Sequence, residues 1–105
     1  MQALLILTTL PDPDTARQLA RQLVEARLAA CVNVLAACTS VYRWQGTLQE
    51  EAETPVLIKT MAERYAEIET FLREHHPYEL PEIVALPIEQ GLPGYLDWVR
   101  TETRT

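Results

Sequence analysis

The sequence predicts an α+β fold, a single antiparallel sheet with helices packed against it, and three observations predict it. Strand-like runs and amphipathic helical stretches follow one another in the order βαββαβα. The central segment, Cys31 to Thr60, reads as two long strands whose Val32, Val34, Val41, Tyr42, Trp44, Val56, Leu57 and Ile58 suit a pleated, partly buried surface. Between those strands Gln45-Gly46 supplies the positive φ that a tight hairpin needs. A chain of 105 residues with 48% apolar and 23% charged residues supports one core and not two, so residues 1–105 are expected to form a single domain.

Taken in order, Ala3 to Thr9 is a continuous apolar run, the pattern of a central strand covered on both faces. Asp12 then caps a helix with Pro13 at its first position, and Ala16, Leu19, Ala20, Leu23 and Val24 form one buried stripe ending near Leu28. In the second hairpin strand Pro55 cannot donate to a ladder, which marks an edge or bulge between Glu53 and Val56. Thr60 and Glu63 have the spacing of a capping box, and Met61, Tyr65, Ile68 and Leu72 continue as a second helical face to His75 or His76. Pro77 and Pro81 break the chain, Ile83 to Ile88 returns as a strand, and Tyr95, Leu96, Trp98 and Val99 give a last helix its apolar face. A hairpin between two crossover helices is the split βαβ or ferredoxin-like plan, which hosts so many activities that it assigns none.

The hairpin is long for its domain. An unbroken strand from Cys31 to Trp44 would span roughly 45 Å at about 3.3 Å per residue, against a diameter of roughly 33 Å for a compact domain of this size. A projecting arm with Tyr42 and Trp44 near its tip exposes backbone groups and aromatic surface that invite another chain, so oligomerisation is expected.

A formal net charge of −6 argues against nucleic acid or an anionic membrane as partner, and no run of residues is long and apolar enough to span a bilayer. The apolar start is too short for an export signal, so the expected location is cytoplasmic and the two cysteines are expected to stay reduced. In a straight strand Cys31 and Cys38 would lie about 23 Å apart on opposite faces, beyond the reach of a disulfide. Both thiols are therefore expected to react slowly, as small buried hydrophobes.

No elbow exposes Cys31, Cys38 or Ser40 as a nucleophile, and Gly46, Gly91 and Gly94 are too few for a phosphate cradle, so no catalytic residue is assigned. His75-His76 is the one pair of nitrogen ligands, open either to a borderline metal such as Cu(II) or to structural use at a helix C-terminus. Lys59 in an apolar run calls for a carboxylate, with Glu82 as a candidate, or for an anion.

Several stretches together resemble the CutA family of divalent-cation tolerance proteins: LVEARLAACVNV, SVYRWQG, IKT, HHPYELPEI, LPIEQG and YLDWV, in that family's order and spacing over nearly the whole chain. The resemblance implies a ferredoxin-like protomer, a tight homotrimer joined by its long hairpins, a cytoplasmic location, and association with copper and other divalent cations without an obligatory cofactor. It places the metal at His75 and His76, with Thr8 where copper-binding relatives carry a cysteine, so that Cu(II) binding is expected to be weak. Tyr42, Trp44, Glu50, Glu51 and Glu53 are expected at the trimer interface. The expected function is non-enzymatic metal tolerance or response. The alternative is a P-II-like small-molecule sensor or an enzyme in clefts between subunits, with Tyr42, Lys59, Tyr78 and Glu82 as polar candidates beside His76.

Overall fold

The computed structural model describes residues 2–104. Five strands, β1 (Ala3–Leu10), β2 (Cys31–Val34), β3 (Cys38–Trp44), β4 (Thr47–Met61) and β5 (Val84–Ile88), accompany three helices, α1 (Pro13–Glu25), α2 (Tyr65–His75) and α3 (Pro93–Glu102). All pairings are antiparallel, in the order β2-β4-β1-β5 with β3 alone on the outer half of β4. That outer half is the arm, and it stretches the molecule to 44 Å along one axis against 25 and 23 Å along the others.

Local chemistry starts and stops the elements. Asp12 caps α1 by accepting from the Thr15 amide at 2.8 Å and the Thr15 hydroxyl at 3.0 Å, with Pro13 in the first turn. Gln45 and Gly46 both take positive φ, 50° and 80°, the pattern of a two-residue turn whose twist matches its strands. The capping box is not formed: Thr60 lies in β4 and donates its hydroxyl to the Leu28 carbonyl at 2.6 Å, while a single 3-10 turn, Ala62–Arg64, leads into α2. Thr60 is held in the strand by its pairing with Leu4, so it does not stand at the helix start.

The sequence places an interruption in the second hairpin strand, whereas the structure puts it in the first. β4 runs unbroken through Pro55, and the facing strand splits at Leu35–Ala37. The reason is a missing donor. Leu35 N–H donates to the Pro55 carbonyl at 3.0 Å, so the side of Pro55 that faces β2 and β3 has an acceptor and no N–H. Val34 pairs with Val56 and Cys38 with Glu53, which sets three residues against two, a one-residue bulge. The bulge reverses the alternation. Cys31, opposite Lys59, and Cys38, opposite Glu53, therefore share a face rather than lying on opposite ones. Cys38 is also exposed, so burial does not protect its thiol.

One face of the sheet holds the main core. Ile6, Leu10, Val56 and Ile58 meet Leu19 and Leu23 of α1 and Ile68 and Leu72 of α2, each such side chain contributing about 1.5–3 kcal/mol on full burial. Val24, expected in the α1 stripe, is instead 42% exposed. On the opposite face α3 covers only one end, where Val99 and Leu96 pack on Ala3, Ala30, Met61 and Ile88. Beyond it Leu5, Leu7 and Leu57 are half-buried, and Val84 and Leu86 are exposed.

Because Gln45 is a non-glycine residue at positive φ, Gln45→Asn should stabilise the arm by about 0.5 kcal/mol and Gln45→Val should destabilise it by about 1 kcal/mol. Thermal unfolding of the two variants checks the sign of each.

Candidate functional site

The cleft that gathers the most polar groups lies where the arm meets the loop between α2 and β5. The bulge at Leu35–Ala37 makes it, because with the alternation reversed Ser40, Tyr42 and Trp44 of β3 share the uncovered sheet face with Glu51 and Glu53 of β4. The loop bends at residues 77–80 and lines the opening with Pro77, Tyr78, Leu80 and Glu82. The space between is about 680 Å³ and is lined by Thr9, Tyr42, Trp44, Glu53, Tyr78 and Glu82 among others.

Its inner end is a buried hydrogen-bonded chain. His76 Nε2 donates to the Thr9 carbonyl at 2.7 Å, and its Nδ1 accepts the Tyr78 amide at 3.2 Å, which fixes one neutral tautomer. The Thr9 hydroxyl donates to Glu53 Oε2 at 3.2 Å, and the Tyr78 ring tilts against His76 with centroids 4.8 Å apart. Desolvation lowers the His76 pKa from 6.5, outweighing the Thr9 hydrogen bond and the Glu53 charge, which act the other way. Burial, then the Glu53 carboxylate that its hydroxyl faces, raises the Tyr78 pKa strongly. At the outer end Tyr42 donates to Glu51 Oε1 at 3.2 Å. Desolvation first and the Glu51 charge second raise its pKa.

Three of the four cleft candidates, Tyr42, Tyr78 and Glu82, line this one space. Lys59 does not. It lies farther along the uncovered face with its ammonium 5.8 Å from the centre of the Tyr95 ring, and among the described residues it forms no ion pair, with Glu82 or any other carboxylate. Of the residues expected at the interface, Trp44 and Glu51 line the cleft, Glu50 is exposed on the other side of the arm, and Glu53 is already buried within the single chain. Sequence reasoning missed Thr9 and the buried role of Glu53. The readable signal was the alternation of Ser40, Tyr42 and Trp44 against Glu51 and Glu53, once Pro55 is allowed to shift the partner strand.

The His pair divides. His75 turns back along α2, donating from Nδ1 to the Phe71 carbonyl at 2.8 Å and stacking on the Phe71 ring, which leaves Nε2 facing outward. His76 has both nitrogens engaged. Thr8 is fully buried on the helix side of β1 with its hydroxyl unpartnered, and no cluster of three His, Cys, Asp or Glu side chains suited to a metal occurs among the described residues. His75, His76 and Thr8 therefore do not fit a preorganised copper site.

A family model described as CutA1 divalent ion tolerance protein matches residues 4–102. The chain belongs to this family. It is 47% identical over 98 residues to the divalent-cation tolerance protein CutA of Thermus thermophilus, covering 93% of this chain and 95% of that one. Human protein CutA is 44% identical over 97 residues, 92% of this chain, which spans 54% of the human protein's length. The crystal structure of CutA from Xylella fastidiosa superposes with a TM-score of 0.95 at 43% identity, over 99% of this chain and 100% of that one. The family places its members by fold and by a name that states tolerance of divalent ions.

The buried, neutral His76 gives the fold a pH signature. As pH falls through about 6.5, the unfolded chain takes up a proton that the folded chain refuses, so stability present above that value is lost below it. Urea midpoints measured between pH 7.5 and 5 should fall for the wild type, and His76→Gln should flatten that fall.

Proposed function

We propose that this chain is a non-enzymatic homotrimer with a ferredoxin-like protomer, acting in divalent-cation tolerance in the cytoplasm. The observation that carries the assembly is the uncovered sheet face, where Val84 and Leu86 are 47% and 56% exposed beside Leu5, Leu7 and Leu57, next to an arm that projects from the body. A contiguous apolar face of this kind marks an interaction surface in a soluble protein. The order β2-β4-β1-β5 with α1 and α2 on one face supports the ferredoxin-like plan. Two free thiols suit a reducing compartment. Tolerance of divalent cations is the function in the name of the Thermus relative.

On this reading copper is held weakly. The outward Nε2 of His75 is the one histidine nitrogen free to bind it, and His76 would first have to break two hydrogen bonds. An isolated imidazole with water or a carboxylate suits Cu(II) better than Cu(I), which prefers soft sulfur ligands.

A second reading, a small-molecule sensor of the P-II type working between subunits, is favoured by the cleft. Its Glu53 and Thr9 lie on the same sheet face that assembly would cover, so a neighbouring copy would complete its walls.

Sedimentation at micromolar concentration should give a trimer, and Leu86→Glu should weaken assembly by about 2 kcal/mol or more with the circular dichroism unchanged. A monomeric wild type would refute the assembly. Cu(II) titration should show affinity falling about tenfold in His75→Ala, the loss of one nitrogen donor, and declining with acid because the imidazole must be neutral. Equal affinity in the wild type and the His75→Ala/His76→Ala double variant would remove the pair from metal binding.

A further inference from the structure

The structure assigns the cleft between the arm and the Pro77–Glu82 loop to a small organic cation that carries N–H donors on an apolar body, an amine or a guanidine. This deepens the small-molecule reading of that cleft and rests on it. The first support is charge. Glu51, Glu53, Glu79 and Glu82 line the space, and among the described residues of the chain no lysine, arginine or histidine side chain does. Glu53 is only 9% exposed, yet among the described residues it has no ion-pair partner; its hydrogen bond comes from the neutral Thr9 hydroxyl. A carboxylate removed from water and answered by a neutral hydroxyl keeps most of its desolvation cost, which a cation would offset.

The second support is the hydrogen-bonding inventory. The Thr9 and Tyr42 hydroxyls have already given their protons to Glu53 and Glu51. Burial first and the nearby Glu53 second keep the Tyr78 hydroxyl protonated. The cleft thus offers a visitor acceptors and few donors, so a fitting ligand brings its own N–H groups. An anion or a donor-poor neutral molecule finds no such match.

The third support is shape. Tyr42, Trp44 and Tyr78 present aromatic rings to the same space, and ring faces attract ammonium and guanidinium groups. Pro77 and Leu80 add apolar wall for the rest of the molecule. A volume of about 680 Å³ is that of a metabolite site and is far larger than a bare ion requires.

Calorimetric titration of the full chain in its native assembly with benzylamine, benzyl alcohol and benzoate tests the assignment, since the three differ chiefly in charge and donors. Benzylamine should bind at least about tenfold more tightly than either analogue, and Glu53→Gln should remove about tenfold of that affinity. Glu51→Gln, at an exposed position where folding is not at stake, should lower benzylamine affinity in the same direction. Benzyl alcohol or benzoate binding as well as benzylamine would overturn the cationic assignment while leaving the cleft a ligand site. Binding by none of the three, as when a neighbouring copy fills the space with its own side chain, would overturn both. Benzylamine affinity unchanged in the two glutamine variants would place its binding elsewhere and overturn the proposal.

Discussion

A single missing backbone donor determines how the two halves of this protein face each other. β4 is the longest strand and the one that β1, β2 and β3 all pair with, and Pro55 sits within it. Its carbonyl still holds Leu35, but the N–H that would have continued the ladder does not exist. The partner strand answers by looping out one residue, and from that point its side chains change sides. Without the loop-out, Tyr42 and Trp44 would fall on the face of the arm that carries Val41 and Arg43. With it, they join Glu51 and Glu53 above Thr9, and a cleft exists.

The second organising fact is that the sheet is finished on one face only. Two helices seal the inner face with fully buried leucine and isoleucine side chains, whereas α3 covers one end of the other. That unfinished face carries opposite charges at its two ends, Glu53 near the arm and Lys59 under Tyr95, with leucines between them and neither charge in an ion pair among the described residues. Unpaired charge beside exposed apolar surface is costly in a free chain and useful in a bound one, because each partner that arrives removes both costs. The proposed assembly and the proposed ligand site would therefore share this face.

The two histidines show why adjacency along a chain is a poor guide to a chelate. α2 ends between them, so His75 keeps helical geometry and stacks back on Phe71, while the extended backbone of His76 turns its ring toward β1. His76 ties the end of α2 and the start of the Pro77–Glu82 loop to Thr9, the same residue whose hydroxyl steadies Glu53. The cleft is thus braced by a histidine that its own wall hides.

The sequence by itself determined the elements, because they depend on local chemistry. Asp12 with Pro13 starts α1, Gln45-Gly46 turns the hairpin, the leucine and isoleucine spacing of α1 and α2 names the buried stripe, and Pro77 with Pro81 ends the second helical region. Tyr42, Tyr78 and Glu82 are expected from the sequence as polar groups of clefts between subunits, and within the single chain they line one space. The tertiary structure alone decided which strand gives way at Pro55, that Thr60 ties down Leu28 instead of capping a helix, that Lys59 stands apart from the cleft, and that Glu53 is buried against Thr9. Each of these depends on strand register. One residue of slip in an antiparallel pair moves every later side chain to the opposite face, and only the assembled sheet fixes that slip.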